Sequence, residues 1–310
     1  MTHHLFAAIS ALLLSQCSFI SGSVPNTTKH HLQVGTLQRS YRLHVPPSLK
    51  TSTPSALVIV LHGSGDDGEG IEDMTKFSPL ADKEGFIVAY PDALDENWND
   101  GRQAASIPSQ AHHVDDVAFM DALIDDVSRT HSINAKRIYA TGFSNGGLFA
   151  DYLGAHLSTR LAAIAPVSGG IAEPAFSNFH PKSPISVLTI HGDKDDLVPF
   201  NGGNVDGSGY GRLIPTEDAI RFWRKHDNCS EIPTTGELPD IDPKDNTRSY
   251  WKKWSGGKDG TEVELITVQG GGHGWPEGPQ FLPPAIIGYV SQDFDATKAI
   301  WEFFEKHPKR

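Results

Sequence analysis

Cysteine is scarce in this sequence, because the chain of 310 residues contains only two, Cys17 and Cys229. Cys17 lies in an apolar N-terminal stretch, which leaves Cys229 alone, so no intramolecular disulfide is expected. A chain of this length buries a core large enough to fold without disulfides. The neighbours of Cys229, Asn228 and Ser230, offer neither a glycine turn nor a base, which argues against a catalytic thiol.

Positive charge is also in short supply. Lys and Arg number 26 against 38 Asp and Glu, which gives a formal net charge of −12. An acidic surface repels phosphate backbones and anionic lipid headgroups, so a nucleic-acid partner is not expected. Neutral substrates are compatible with this charge.

Long hydrophobic runs are missing. The apolar run at residues 5–14 has about half the length that a transmembrane helix needs, and no later stretch is apolar enough to span a bilayer. Its length fits the core of an export signal. We therefore expect a signal peptide over residues 1–23, a catalytic domain over residues 24–310, and a secreted or periplasmic location.

The end of this signal has two interpretations. The small residues Ser21 and Ser23 suit an ordinary signal peptidase. The segment Leu14-Ser15-Gln16-Cys17 instead resembles a bacterial lipoprotein box, in which Cys17 carries lipid and anchors the protein to a membrane. The sequence leaves both interpretations open.

Short apolar segments rich in β-branched residues alternate with segments of helical periodicity. Strands are predicted at residues 41–45, 57–61, 86–90, 137–141, 161–167, 185–190 and 263–268, and helices around 80–81, from Asp115, at 146–156, from a capping Thr216 and from a capping Asp295. The Gly- and Asn-rich residues 201–211 are expected to form a surface loop. This alternation predicts an α/β fold, a single domain with a mostly parallel central sheet flanked by helices.

The segment Gly142-Phe143-Ser144-Asn145-Gly146 matches the pattern G-x-S-x-G. It lies between a predicted strand and a predicted helix, which is where the tight turn of a nucleophile elbow occurs. The turn forces strained backbone angles on the serine, and the flanking glycines avoid clashes. Ser144 is therefore predicted to be a nucleophile at the N-terminus of a helix, whose dipole favours a developing negative charge.

A serine nucleophile needs a base and a carboxylate that orients the base. In α/β-hydrolases, the acid and then the histidine follow on loops after later strands. The loop after the strand at 263–268 offers His273 between two glycines, and we predict that His273 is the general base. The loop after an earlier strand offers Asp193, Asp195 and Asp196, and these residues alone do not distinguish which one is the acid.

The oxyanion of an ester intermediate needs two backbone N–H donors. One is expected from Asn145, the residue after the nucleophile. The other is expected from the loop His62-Gly63-Ser64-Gly65, which follows the strand at 57–61, with the Ser64 N–H as donor.

Several motifs together resemble the polyhydroxybutyrate depolymerase and feruloyl esterase group of α/β-hydrolases, a group similar to carbohydrate esterase family 1. The resemblance covers about residues 35–307 and rests on Arg39-Ser40-Tyr41-Arg42-Leu43, Leu61-His62-Gly63, Trp98-Asn99-Asp100-Gly101-Arg102, Val114-Asp115-Asp116-Val117, the 142–146 segment, His191-Gly192 with Val198-Pro199, and 270–276. It implies a secreted serine esterase that forms an acyl-enzyme and needs no metal or cofactor.

The resemblance also implies roles for particular residues. The family pattern H-G-x-x-D-x-x-V-P makes Asp195 the acid that acts with Ser144 and His273. The resemblance further makes Trp98 and Trp275 candidate substrate contacts, and it supports Ser64 as an oxyanion donor.

Other interpretations stay open. His112 and His113 beside Asp115 and Asp116 are metal-ligand types, but adjacent residues on an extended segment point to opposite sides, and the aspartates are better explained as helix caps. A serine peptidase uses the same triad, and a non-catalytic binding protein can share the scaffold. Feruloyl, acetyl and hydroxybutyrate esters, small or polymeric, are all candidate substrates, and the oligomeric state is open.

Overall fold

The computed structural model describes residues 24–50, 53–207 and 209–310. The predicted signal peptide at residues 1–23, with Cys17, lies outside the described residues. Within the described part of the chain, none of the helices has both the length and the apolar character to cross a membrane.

The described strands form a large sheet and a small hairpin. They are β1 (Thr27–Val34), β2 (Leu37–His44), β3 (Ser55–Leu61), β4 (Ile87–Pro91), β5 (Ile133–Phe143), β6 (Ala163–Val167), β7 (Ser186–Gly192), β8 (Gly203–Asn204), β9 (Arg212–Leu213), β10 (Thr234–Glu237), β11 (Arg248–Trp254) and β12 (Val263–Gln269). The large sheet has ten strands in the order β1-β2-β4-β3-β5-β6-β7-β12-β11-β10. Its central strands, from β4 to β12, are parallel, and antiparallel strands extend both edges.

Helices cover both faces of this sheet. They are α1 (Gly68–Thr75), α2 (Phe77–Glu84), α3 (Pro108–Ala111), α4 (Asp116–Thr130), α5 (Asn145–His156), α6 (Glu173–Phe176), α7 (Thr216–Asp227), α8 (Pro284–Ile287) and α9 (Ala296–Lys306). Residues of α4, α5 and α7 share one hydrophobic cluster, and residues of α1, α2 and α9 share another. The central sheet is mostly parallel and is flanked by helices, as the alternation in the sequence predicted, and the architecture is the α/β-hydrolase fold that the resemblance implied.

Strand β3 shows why the continuous apolar runs lie at the centre of the sheet. Leu57, Ile59 and Leu61 pack into the cluster on one face, and Val58 and Val60 pack into the cluster on the other. All five side chains are fully buried, because successive residues of a strand point to opposite faces and helices cover both.

The parallel strands bring four functional loops to one edge of the sheet. Leu61 pairs with Gly142 at the ends of β3 and β5, and Gly192 pairs with Val268 at the ends of β7 and β12. The chain leaves all four strands at their carboxyl ends, which is where ligand sites of α/β sheets form. The loops that carry the predicted oxyanion donor, nucleophile, acid and base therefore face the same side.

The strands at the sheet edges were not predicted. Strand β1 is polar and partly exposed along its whole length, and β10 is mostly exposed. These strands gain stability from pairing with β2 and β11 rather than from burying an apolar run, so apolar periodicity did not reveal them.

Helix boundaries agree with two predicted caps and correct a third. The side chains of Asp115 and Asp295 accept hydrogen bonds from the first turns of α4 and α9, as expected. Helix α7 begins at Thr216, but its N-cap is Pro215 and the helix has no side-chain cap hydrogen bond. The Thr216 hydroxyl lies instead 3.1 Å from Nδ1 of His191.

Candidate active site

Ser144 occupies a strained turn between β5 and α5. Its backbone angles are φ 56° and ψ −120°, which a residue with a side chain rarely adopts. A Cβ at Gly142 would lie 2.5 Å from the Gly146 carbonyl oxygen, and a Cβ at Gly146 would lie 2.2 Å from the Leu61 carbonyl oxygen. Both glycines are therefore required by close packing, and the predicted elbow is confirmed as a backbone feature.

The structure separates the three aspartates of the acid loop. Asp195 is buried, and its Oδ2 lies 2.8 Å from His273 Nδ1. Its Oδ1 accepts hydrogen bonds from the Leu197 N–H at 3.0 Å and the Val198 N–H at 2.8 Å. Asp193 accepts a hydrogen bond from the Gly270 N–H, in the loop after β12, and Asp196 is exposed. Asp195 is thus the member of the three that contacts His273.

The surroundings of Asp195 favour its ionised form. Burial by itself would raise the pKa of this carboxyl group. The charge of His273 and the hydrogen bonds with His191 and His273 outweigh burial and hold the pKa of Asp195 well below its ordinary value. Because an ionised carboxylate can only accept, His273 Nδ1 donates the proton, which leaves Nε2 of the neutral ring free to accept one.

A second imidazole supports the acid loop from inside the fold. His191 Nε2 donates to the Val198 carbonyl oxygen at 2.8 Å and lies 3.4 Å from Asp195 Oδ2. Its Nδ1 accepts from the Thr216 hydroxyl. The residue-by-residue interpretation of the sequence did not assign His191 a role, although it appeared in the resemblance motif.

His273 lies close to the nucleophile turn. Its ring contacts the phenyl ring of Phe143, the residue before Ser144, with the ring centroids 4.7 Å apart. The backbone N–H of the preceding Gly272 donates to the Tyr289 carbonyl oxygen at 2.8 Å, which fixes the loop after β12. The predicted base, acid and nucleophile are therefore brought to one site.

The predicted oxyanion loop also reaches this site. A Cβ on Gly63 would lie 3.5 Å from the Cβ of Ser144, so the loop packs directly against the nucleophile turn. His62 stiffens the loop: its Nδ1 donates to the Gly63 carbonyl oxygen at 2.7 Å, and its Nε2 accepts from the Ala93 N–H at 3.0 Å. Burial lowers the pKa of His62, which keeps this imidazole neutral.

Ser144 opens into a cleft with a volume of about 210 Å³. Both predicted oxyanion residues, Ser64 and Asn145, line it with the nucleophile. The remaining lining combines polar groups with an apolar wall, and consists of Gly65, Glu96, Asn97, Arg102, Ser106, Ile107, Pro108, Leu148, Leu197, Val198, Val205 and Tyr210. The cleft therefore offers space for an acyl group next to the serine.

Part of this wall comes from a segment that was expected to be only a surface loop. Residues 201–211 contribute Val205, which is buried, and Tyr210 to the cleft. Ser106 donates a hydrogen bond to the Gly209 carbonyl oxygen at 2.6 Å and so ties the segment to the opposite wall. Val205 is an isolated apolar residue among glycines, so no apolar periodicity in the sequence predicted that it is buried.

The expectation that Trp98 contacts substrate is wrong for its indole. The side chain is fully buried and stacks on Phe149 with ring centroids 5.1 Å apart. Its Nε1 donates to the His62 carbonyl oxygen at 3.0 Å. Trp98 therefore supports the predicted oxyanion loop from within the core and does not line the cleft.

Trp275 does not line the cleft either. Its side chain is 2% exposed, and its Nε1 donates to the Thr297 hydroxyl at 3.1 Å. The ring packs edge-on against Phe77, on the face of the sheet that α2 and α9 cover. The position of Trp275 in the sequence, two residues after His273, suggested a contact with substrate. The sequence did not show that the side chain of Trp275 points into the core.

Asp115 and Asp116 have structural contacts. Asp115 caps α4, and Asp116 forms a buried ion pair with Arg39 at 2.7 Å. His112 and His113 are exposed. Over residues 24–50, 53–207 and 209–310, no group of three or more His, Cys, Asp or Glu side chains could hold a metal ion.

Cys229 is a buried free thiol in the described part of the chain. Burial raises the pKa of this thiol to about 11, which suppresses the reactive thiolate. The structure thus agrees with the expectation that Cys229 is not a nucleophile.

Comparison with known proteins places this chain in a family. The model described as Phospholipase/Carboxylesterase matches residues 48–205, about half of the chain. "Putative esterase NocK" from Nocardia uniformis subsp. tsuyamanensis is 29% identical over 89% of this chain and 82% of its own length. Feruloyl esterase B from Piromyces equi is 28% identical over 77% of this chain, but this chain spans only 44% of that protein.

A solved structure shares the fold. The acetyl xylan esterase from Aspergillus awamori superposes with a TM-score of 0.61 over 90% of this chain and 99% of that chain, at 14% sequence identity. The chain belongs to the phospholipase/carboxylesterase family of α/β-hydrolases, and it is an esterase of the serine hydrolase type.

Proposed function

We propose that this esterase cleaves carboxylic esters with a triad of Ser144, His273 and Asp195 through a covalent acyl-enzyme. The observation that carries the proposal is the buried 2.8 Å hydrogen bond between His273 and Asp195, at the same sheet edge as the strained Ser144 turn and its cleft. Nucleophilic ester hydrolysis needs a serine on an exposed turn and a base that a carboxylate holds in place.

In the first half of the reaction, Ser144 Oγ attacks the ester carbonyl carbon and its proton passes to His273 Nε2. Asp195 stabilises the imidazolium that forms. The carbonyl oxygen becomes an oxyanion and accepts hydrogen bonds from the backbone N–H groups of Asn145 and Ser64. When the oxyanion collapses, the ester C–O bond breaks and His273 returns the proton to the leaving alcohol.

In the second half, water attacks the acyl-enzyme and gives its proton to His273. The bond between the acyl carbon and Ser144 Oγ breaks, and the proton returns to the serine. The carboxylic acid leaves and the enzyme is restored. Every proton in this cycle moves through one imidazole, so its fixed orientation by Asp195 is required in both halves.

We propose that the acyl group is small, such as acetyl or feruloyl, and that the alcohol stays outside the cleft. The volume of about 210 Å³ is below the roughly 300 Å³ at which pockets for drug-sized ligands begin. Ile107, Leu148 and Val205 give the cleft an apolar wall suited to an acyl chain or ring. Relatives named for feruloyl and acetylxylan esters support the same class of substrate.

The nucleophile is tested by Ser144→Ala on hydrolysis of p-nitrophenyl acetate. The expected loss in kcat is on the order of 10⁶-fold, as for other serine hydrolases that lose the nucleophile. Ser230→Ala is the matched control, because Ser230 is exposed and its hydroxyl donates to the nearby Ile232 carbonyl oxygen. Activity of Ser144→Ala equal to that of the control excludes the proposed mechanism.

The substrate class is tested by comparing methyl ferulate, acetylated xylan and hydroxybutyrate oligomers at equal concentration. The proposal expects turnover of one or both of the first two to exceed that of the oligomers. Faster cleavage of the oligomers contradicts the proposal that the acyl group is acetyl or feruloyl. Faster cleavage of a peptide than of any ester favours a peptidase instead.

We also propose that the protein is exported, on the support of the apolar run at residues 5–14. The full chain is expressed in a bacterial host, and the mature N-terminus is determined by mass spectrometry. Cleavage near Ser21 or Ser23 supports an ordinary signal. A lipid adduct that Cys17→Ser removes supports the lipoprotein alternative, and an uncleaved cytoplasmic chain contradicts export.

A further inference from the structure

We propose that Asp100, held by Arg102, is a positioning residue that fixes Asn145 and with it the oxyanion donor. The idea rests on the proposed function, since it requires the Asn145 N–H to bind the oxyanion. No step of the proposed reaction uses the side chain of Asn145.

The Asn145 side chain is held at both ends. Its Oδ1 accepts from the Trp98 N–H at 2.7 Å, and its Nδ2 donates to Asp100 Oδ2 at 2.6 Å and to the Trp98 carbonyl oxygen at 3.3 Å. Asn145 is 1% exposed, so these groups have no access to water. A buried amide with all these contacts has one rotamer. The side chain of Asn145 therefore connects the first residue of α5 to the segment around Trp98.

Asp100 is the centre of this buried network. Besides Asn145, its carboxylate accepts from Gln110 Nε2 at 3.0 Å and from Arg102 Nε at 2.9 Å, and it accepts from the Arg102 backbone N–H at 3.1 Å. Arg102 Nη2 completes the ion pair at 2.8 Å, and both side chains are buried. The guanidinium neutralises a carboxylate that would otherwise be costly to bury.

The turn that makes this contact depends on Gly101. Its φ of +85° is in the left-handed region, and a Cβ there would lie 2.7 Å from the Tyr152 ring. The turn folds Arg102 back onto Asp100. The other arm of the guanidinium, Nη1, donates to the Tyr210 carbonyl oxygen at 2.9 Å on the far wall of the cleft.

Placement of the Asn145 N–H matters because oxyanion donors act through geometry. The first amides of a helix have no acceptor within the helix, so nothing inside α5 fixes their direction against a small rotation of its first turn. The side-chain network supplies that restraint from outside the helix. Donors that are already aligned stabilise the developing charge without reorganisation during the reaction.

The test compares Asp100→Asn with wild type in kcat, KM and affinity for a boronic acid that forms a tetrahedral adduct with the serine. We expect kcat for p-nitrophenyl acetate to fall roughly 10- to 100-fold, since a misplacement of about 1 Å costs on the order of 100-fold, while KM stays within about threefold. Boronate affinity is expected to fall by a similar factor. Active sites are counted with a fluorophosphonate, so that unfolded protein does not lower the apparent kcat.

Asn145→Ala is the second variant, and it leaves the Asp100–Arg102 ion pair in place while it removes the anchor. It is expected to lower kcat by a similar factor, and the double variant Asp100→Asn/Asn145→Ala is expected to be no worse than the more severe single variant. Strictly multiplied losses in the double variant, or full kcat per titrated site in Asn145→Ala, overturn the proposal.

Asp227→Asn is the matched control for a lost buried carboxylate. Asp227 accepts from the Ile185 N–H at 3.2 Å, just before β7 and so at the opposite end of that strand from the acid loop. It is expected to lower Tm but to keep kcat per site and boronate affinity. If Asp100→Asn behaves like this control while Ser144→Ala is inactive, Asp100 is structural only and the proposed esterase mechanism stands. An active Ser144→Ala removes the mechanism itself.

Discussion

Nε2 of His191 lies 3.4 Å from Oδ2 of Asp195, the same oxygen that contacts His273 at 2.8 Å. Two imidazoles therefore flank one buried carboxylate. The inner one donates to the Val198 carbonyl oxygen, and the Val198 N–H in turn donates to Asp195 Oδ1. His191 thus holds the loop that holds the acid.

Removing the His191 side chain is expected to lower both the stability of the fold and kcat. His191→Ala leaves the buried Val198 carbonyl unpaired, which costs about 1–3 kcal/mol of unfolding free energy. We expect kcat to fall roughly 10-fold, because Asp195 loses a neighbour that fixes its loop. Urea unfolding and steady-state kinetics measure the two effects. His180→Ala, at an exposed histidine, is the control, and equal values for the two variants would show that His191 supports nothing.

Replacement of the acid by its amide separates Asp195 from its neighbours. Asp195→Asn is expected to lower kcat on the order of 10³- to 10⁴-fold, because the amide no longer holds the imidazole in the required tautomer or stabilises its cation. Asp196→Asn changes an exposed residue of the same loop and is expected to keep kcat. Steady-state hydrolysis of p-nitrophenyl acetate gives both values. A loss in Asp196→Asn with none in Asp195→Asn would reassign the acid.

The side chain of Ser64 is expected to be dispensable. Ser64→Ala keeps the backbone N–H and should retain kcat within about threefold, whereas Ser64→Pro removes that donor and should cost about 10²- to 10³-fold. The comparison is made per active site titrated with a fluorophosphonate. A large loss in Ser64→Ala would mean that the hydroxyl, not the backbone, contacts the ester.

Asp151 gives the fold a dependence on pH. Burial raises the pKa of this carboxyl group on α5 to about 7, despite a 3.0 Å hydrogen bond from Trp223 Nε1. The folded state therefore keeps a proton that the unfolded chain releases near pH ~3.9. Between these values, stability falls as pH rises, by up to about 1.4 kcal/mol per pH unit, and it levels off above about pH 7.

Asp151→Asn removes this proton and keeps an oxygen for the Trp223 N–H. Relative to wild type, the variant is expected to gain stability steadily from pH 4 to pH 7 and to keep a constant advantage above that. Urea unfolding at a series of pH values measures the difference. Parallel curves for variant and wild type would mean that the carboxyl is already ionised in the folded protein at pH 4.

The central fold followed from the sequence because its strands are buried on both faces. Apolar runs such as residues 57–61 contain no polar residue that could face solvent, so they indicate a strand that is covered by helices on both faces. Edge strands carry no such constraint: β1 and β10 are held by backbone pairing with β2 and β11, the next strands along the chain, and not by burial of an apolar face. The apolar periodicity of a single segment does not report backbone pairing between strands.

The sequence by itself determined the strand–turn–helix at Ser144, the loop of His273 and the place of Ser64, since each follows from chemistry within a few residues. Residue type did not distinguish Asp193, Asp195 and Asp196, and the family resemblance named Asp195. The tertiary structure supplied the physical reason, because the three aspartates differ in burial and Asp195 contacts His273. Only the tertiary structure showed that the indoles of Trp98 and Trp275 are buried in the core. It also showed that Asp100 and its hydrogen-bond partners contact Asn145. These outcomes depend on how distant segments pack, and packing is a property of the whole fold rather than of any local pattern.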